Sequence, residues 1–438
     1  MATKPAVTPI ATGIAVRTLI VLILVNIINF YDRHVAGALA EPLRHEFGLT
    51  DSQIGLISTV FTILYAIVGI PIGRLADTGS RKKLLAVGIV VWGCVTGMAA
   101  WARSLAMLVA SRLGLAVGEA VCAPVATSWI GDLFAPNRRS RPLALFMLGV
   151  PVGGALSFFF SGPIAQRFGW RPAMIVAAIP ALLLAPVVLM LPEPLRGASE
   201  TSSATTQRPS RSGLLTPTFA WIIASGVLVN FNLYALGTFL PAFFQRVHHL
   251  KVGSAGISTG LVYAIGGILG GTIGGAWGDR LVRRHANGRM LLAAYAAVIS
   301  APLAYLGIRQ GFGALAIAVP LLTAAYGLLN MYYGLVYASL QDIVAPAQRA
   351  TAMAVYFLVM YLGGASFGPV ITGRLSDFMA HRAAGALPIT EAFKAIGLQQ
   401  AMQVVPVLAV GLGIVLWAGS RTIERDAQRQ RATVSTAA

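Results

Sequence analysis

Apolar blocks about 20 residues long recur from end to end of this chain, and that is the length an α-helix needs to cross a ~30 Å hydrocarbon layer. One runs Ala173-Met-Ile-Val-Ala-Ala-Ile-Pro-Ala-Leu-Leu-Leu-Ala-Pro-Val-Val-Leu-Met190 without a charge. Divided at charged residues and Pro/Gly punctuation, the blocks predict six helices near 14–40, 53–73, 84–102, 105–131, 142–166 and 172–191. Six more follow near 216–244, 255–277, 289–308, 313–341, 350–373 and 397–419. The expected fold is an all-α integral membrane protein of twelve transmembrane helices. No charged leader and cleavage site precede the first block, so it reads as a retained helix and not a signal peptide.

Composition agrees. Of 438 residues, 56% are hydrophobic and 11% charged, against roughly 25% charged in soluble domains. A net charge of +18 would suggest nucleic acid in a soluble chain. Here Lys and Arg favour the loops on the side of the two termini by roughly two to one, the bias that sets membrane orientation. The charge is therefore topogenic, and no nucleic-acid partner is needed. It predicts a multi-pass protein of the inner (plasma) membrane with both termini cytoplasmic. Cys94 and Cys122 lie within apolar blocks and read as small packing residues. No metal or cofactor is expected.

Between the two sets of helices lies a segment rich in Ser, Thr, Arg and Pro, with too little apolar surface to order itself. It predicts a cytoplasmic linker at 192–215, joining bundles at 1–191 and 216–438. The halves also repeat. Asp132, Pro136 and Arg139 after helix 4 meet Asp342, Pro346 and Arg349 after helix 10 at one constant offset, and Gly153-Gly154 meets Gly363-Gly364 at the same offset. Gly73-Arg-Leu-Ala-Asp77-Thr-Gly-Ser-Arg81-Lys82-Lys after helix 2 is echoed by Gly275-Ala-Trp-Gly-Asp279-Arg280-Leu-Val-Arg283-Arg after helix 8.

Glycine, aspartate and a basic cluster in that order resemble the signature loop of the major facilitator superfamily, although Thr78 stands where that family usually has a basic residue. The resemblance implies two pseudo-symmetric six-helix bundles and a gating role for Asp77, Arg81, Lys82, Asp279, Arg280 and Arg283, whose loops latch the cytoplasmic helix ends in the outward-open state. Within the superfamily, Asn29-Phe-Tyr-Asp32-Arg33 and Arg112-Leu-Gly-Leu-Ala-Val-Gly-Glu119 resemble motifs of the spinster group. That likeness implies lysolipids or sphingoid phosphates as the substrate class, some of it moved with protons.

Asp32, Arg33, Arg112 and Glu119 are the four charges well inside predicted helices. A charge near the bilayer centre costs at least ~2.5–3.5 kcal/mol, so such residues usually face a cavity and do work. Helix 1 runs outward from Asp32 to Glu41, and helix 4 runs inward from Arg103 to Arg112. Both charges then sit about 13 Å below the outer edge, on one level, with Glu119 about 10 Å deeper on the face of Arg112. The expectation is an Asp32–Arg112 acid–base pair with a second acid beneath it. Asp32 and Glu119 are the proton-coupling candidates. Arg112 is the candidate for a substrate anion, with Arg33 lining or bracing the cavity. His34 reads as structural.

The second half has no charge in its predicted helix cores. Helix 10 carries Tyr326, Asn330, Tyr333 and Tyr337 on one face, and helix 7 adds Asn230 and Tyr234 one turn apart. As repeat partners of helices 4 and 1, they are candidate substrate-contacting residues. A charged half facing an aromatic one suits an amphiphile with an anionic head. The expected function is secondary transport of such an anion by a monomer, with protons as coupling ion. Import of a small organic acid, such as a sugar acid or aromatic carboxylate, is the nearest alternative. A lipid-acting enzyme is disfavoured because the six histidines are scattered and only His34 lies near the intramembrane acids. A scaffold gives no reason for the buried charges.

Overall fold

The protein is described from a computed structural model covering residues 12–135, 138, 140–196, 216–344 and 348–435. Twelve of its helices are long and apolar enough to cross a membrane. Helices 1 to 6 are Gly13–Ala38, Asp51–Ala76, Arg81–Trp101, Leu105–Leu133, Arg141–Phe168 and Trp170–Leu189. Helices 7 to 12 are Pro217–Arg246, Val252–Val282, Gly288–Arg309, Leu315–Ile343, Thr351–Ala384 and Glu391–Ser420. The expected linker lies outside the described residues from position 197 onward.

Departures from the sequence reading are local. Helix 11 continues to Ala384 and helix 12 begins at Glu391, because the helical period outlasts the hydropathy through Arg374-Leu-Ser-Asp377 and beyond. A short helix, Ala40–Phe47, follows helix 1 and is closed by Gly48 in the left-handed conformation at φ 61°. Thr50 and Gln53 then form a reciprocal capping box at the start of helix 2.

Several spans are broken by proline. Helix 4 pauses between Glu119 and Cys122, and Pro124 explains it, since proline has no N–H for the carbonyl four residues back and clashes with it. Pro151 does the same in helix 5 after Met147. Helices 8 and 11 instead carry π-helical turns at Val262–Gly266 and Tyr361–Ala365, a distortion often found at functional sites.

The packing repeats between halves. Helix 1 packs on 5 as 7 packs on 11, helix 2 on 4 as 8 on 10, and helix 3 on 6 as 9 on 12. Across the interface, helix 5 packs on 8 and helix 11 on 2, as a two-fold exchange requires. The halves touch most closely at the end opposite the termini. There a Cβ on Gly37 would collide with the Gly237 carbonyl, and one on Gly55 with the Pro369 carbonyl. Only glycine permits these backbone approaches.

Candidate functional site

The four intramembrane charges gather where helices 1 and 4 meet, but they do not pair as the depth argument predicts. Arg33 donates through Nε (3.2 Å) and Nη2 (3.1 Å) to Oε2 of Glu119. Arg112 makes its one described hydrogen bond to the Met174 sulfur, at 3.8 Å. Asp32 is fully buried, and neither of its carboxylate oxygens has a described hydrogen-bond partner. It stays within electrostatic reach of both Arg112 and Glu119. The expected Asp32–Arg112 ion pair is thus replaced by Arg33–Glu119. Helical depth tracks backbone level, whereas a long arginine side chain reaches past its own turn.

Arg33 is held by more than its carboxylate. Its guanidinium lies 4.5 Å from the Phe30 ring centroid, 4.4 Å from Tyr65 and 5.2 Å from Phe61, within the range of cation–π attraction. Nη1 also donates to the Tyr234 hydroxyl of helix 7 at 3.5 Å. Tyr361, the first residue of the helix 11 π-turn, packs edge-on against Tyr65 and Tyr234 at 5.5 and 6.2 Å. The acid on helix 4 is therefore linked through Arg33 to helices of the second half.

A cavity of about 40 Å³ lies beside this cluster, lined by Arg33, Arg112, Ser58, Thr62, Tyr234 and Thr238 among others. His34 also borders it, with Nδ1 bonded to the Phe30 carbonyl at 2.8 Å.

The second-half candidates separate into two groups. Asn230 is buried and internally satisfied, giving Nδ2 to the Gly226 carbonyl and receiving the Tyr333 hydroxyl at 3.0 Å. Tyr326 is buried against Tyr263, with ring centroids 4.4 Å apart. Both brace the wall. Tyr234, Asn330 and Tyr333 keep partial exposure.

Sequence reasoning missed a charged clamp at the end opposite the termini. Arg246, closing helix 7, makes a bidentate pair with Asp51 at 2.8 and 2.7 Å and donates to Glu41 at 2.8 and 2.5 Å. Arg44 joins Glu41 (3.0 Å) to Glu391 of the second half (2.6 Å). Asp377 of helix 11 accepts the backbone N–H groups of Asp51 (3.0 Å) and Ser52 (2.9 Å), and the Ser52 hydroxyl. A carboxylate from one half thereby caps the N-terminus of a helix in the other. Among the described residues, every cross-half hydrogen bond lies between this clamp and the level of Arg33.

Among the described residues, the ion pairs at the terminus-bearing end stay within each half. Arg81 binds Asp132 (2.5 Å) and Glu193 (3.3 Å), and gives Nη2 to the Pro194 carbonyl at 2.6 Å. Glu193 is partly buried, which favours its neutral form. Hydrogen bonds from the Arg81 amide, the Ser80 hydroxyl, the Lys82 amide and the Arg81 guanidinium outweigh that and hold its carboxyl below the usual range. In the second half Arg289 bridges Asp279 (2.9 Å) and Asp342 (2.8 Å). The motif spacing pairs Arg81 with Arg283, but Arg283 and Arg280 are exposed, and Arg289 fills the role. The turn after helix 8 delays helix 9 to Gly288, which brings Arg289 into its first turn. The Asp77 side chain lies outside the described residues.

The comparisons with known proteins agree with this architecture. The sequence profile of the Major Facilitator Superfamily matches residues 22–369. An "MFS-type efflux pump" of Mycolicibacterium smegmatis (strain ATCC 700084 / mc(2)155) is 32% identical over 82% of this chain and 83% of its own length. Protein spinster of Drosophila melanogaster is 28% identical over 82% of this chain and 62% of the fly protein. The crystal structure of a bacterial homolog to the human lysosomal transporter Spinster, in an inward-facing and unoccupied conformation, superposes with TM-score 0.85 at 26% identity, covering 95% of this chain and 99% of that one. The chain belongs to the major facilitator superfamily, as a transporter related to the spinster proteins.

Proposed function

We propose that this transporter moves an amphiphilic anion by alternating access, coupled to protons at Asp32 and Glu119. The observation that carries the reading is the fully buried Asp32 carboxylate, without a described hydrogen-bond partner, within electrostatic reach of Arg112 and of a second acid, Glu119. A bare carboxylate in a low-dielectric interior is costly, and proton uptake removes that cost. Arg112, with only a thioether as described hydrogen-bond partner, supplies the planar fork that suits a carboxylate or phosphate.

The cycle follows from competition for charge. Substrate anion at Arg112 weakens its attraction for Asp32, which then takes a proton. Protonation of Glu119 likewise frees Arg33, whose ties to Tyr234 carry the change to the second half. Deprotonation restores the acid–base contacts and expels the anion. The clamp of Glu41, Asp51, Arg246, Asp377 and Glu391 closes the end opposite the termini, which supports an inward-facing reading of this conformation. With the termini cytoplasmic, as the Lys/Arg bias supports, that closed end faces outside the cell. The loops at Arg81, Lys82, Asp279 and Arg280 gate the opposite end when the halves rock.

The aromatic wall of Tyr65, Tyr234, Tyr333 and Tyr361 supports an apolar body on the substrate, and the spinster relationship supports a lysolipid or sphingoid-phosphate-like class. The test is transport by proteoliposomes under an imposed pH gradient, with lysophospholipid, sphingoid phosphate and aromatic carboxylate as separate probes. Proton flux triggered by the lipid probes and not by the carboxylate supports the reading. The reverse pattern moves the assignment to a small organic acid.

A further inference from the structure

The cavity beside Arg33 and Arg112 carries an inference about a second ligand. Its wall is more apolar than polar, yet it carries two arginines, Arg33 and Arg112, and the hydroxyl-bearing residues Ser58, Thr62, Tyr234 and Thr238. Several donors there are already committed. Thr62 donates to the Ser58 carbonyl at 3.0 Å, and Thr238 donates to the Ser58 hydroxyl oxygen at 3.2 Å. The Ser58 O–H therefore has its oxygen occupied and its proton available. Tyr234 is in the same position, since its oxygen accepts from Arg33. Arg33 is balanced by Glu119. Arg112 is 3% exposed and has no described hydrogen bond to an oxygen.

The charges complete the case. Asp32, within electrostatic reach of Arg112, is the group assigned above to carry a proton, so this inference rests on that reading. With the proton on, two guanidiniums face one carboxylate, and Arg112 is a buried cation without an anion. A buried charge left uncompensated is strongly destabilising. A volume of about 40 Å³ exceeds the ~10–15 Å³ that one water requires, and is small for a tetrahedral phosphate with its substituent.

We propose that this cavity is a site for a small monovalent anion of chloride size, held by Arg112 with the Ser58 and Tyr234 hydroxyls, which balances Arg112 while Asp32 is protonated. Such an anion holds the place of the substrate's acidic group on a carrier whose Asp32 is protonated before cargo arrives. Because both are held by Arg112, chloride and the substrate's acidic group compete for it.

The experiment measures the thermal stability of the purified full-length protein in sodium chloride against sodium gluconate at constant ionic strength. A saturable stabilisation by chloride is expected, shared by bromide and absent with sulfate. Its apparent affinity falls about tenfold in Ser58→Ala, as removal of one hydrogen bond to a charge implies. A Ser58→Thr variant, which restores the hydroxyl, recovers it. Equal stability in chloride and gluconate, or stabilisation by sulfate as strong as by chloride, overturns the proposal. Proton-coupled transport is measured in parallel in gluconate buffer. If it persists while chloride binding is absent, only the anion site falls; if it is absent in both salts, the coupling reading falls first.

Discussion

Arg33 turns two of its nitrogens onto a single oxygen of Glu119, at 3.2 and 3.1 Å, and leaves the other carboxylate oxygen without a described partner. Asp32, the neighbouring residue, has no described partner for either oxygen. The two acids of the site therefore stand in different environments, and neutralising each has a different consequence.

Asp32→Asn has no hydrogen bond to lose and removes only the electrostatic partner of Arg112, so the variant should lose less stability than one that breaks a direct ion pair. Glu119→Gln strips Arg33 of its ion pair and should lower stability by about 1–3 kcal/mol. Thermal unfolding in detergent at neutral pH checks the contrast. Equal destabilisation by both would show that Asp32 is held by a partner after all.

Arg246→Ala leaves Asp51 and Glu41 facing each other across the closed end with Arg44 as their nearest remaining cation. Losing one partner of a buried ion network costs about 3–5 kcal/mol, enough to reverse a two-state population. Spin labels on the exposed positions Arg103 and Lys251, in a background without Cys94 and Cys122, should report a longer distance in the variant. An unchanged distance distribution would mean that apolar packing alone closes this end.

Gly37→Val should act in the opposite sense from a simple core substitution. The added side chain meets the Gly237 backbone only when the halves are closed at that end, so it penalises one conformation and spares each bundle. The same spin-label pair should move apart while the thermal stability of the separate bundles is retained. Aggregation with loss of helix signal would place the contact inside the folding core instead.

Glu193 docks the chain after helix 6 onto Arg81, and its folded carboxyl is held below the usual range. A depressed carboxyl contributes stability that is full above its ordinary pKa and is lost as pH falls through the folded value. Thermal stability in detergent should therefore hold at neutral pH and fall below about pH 4. In Glu193→Ala the neutral-pH stability should be lower and that acid-side fall smaller.

Much of this was readable from the chain before any fold was known, and the boundary of that legibility has a physical basis. Helix number and the two-half repeat follow from block length and spaced motifs, both local properties. Asp32, Arg33, Arg112 and Glu119 stood out because an apolar context makes any charge conspicuous. Their pairing did not, because Arg33 reaches Glu119 across a helix interface and past a break set by Pro124. The clamp of Glu41, Asp51, Arg246 and Asp377 was hidden for a related reason. Charges at helix ends look topogenic, and only the approach of two distant chain segments makes them partners. Arg289 displaced Arg283 because a turn, whose length no motif reveals, decides which arginine enters helix 9.

The most direct test loads proteoliposomes with a pH-sensitive dye, imposes a pH gradient and adds lysophospholipid or sphingoid phosphate. Wild type should show substrate-triggered proton flux. Asp32→Asn with Glu119→Gln should abolish it by at least tenfold while the protein stays folded and inserted. Undiminished substrate-triggered proton flux in the double variant would contradict the account, because no other buried carboxylate lies in the helix 1–helix 4 cluster to carry the proton among the described residues.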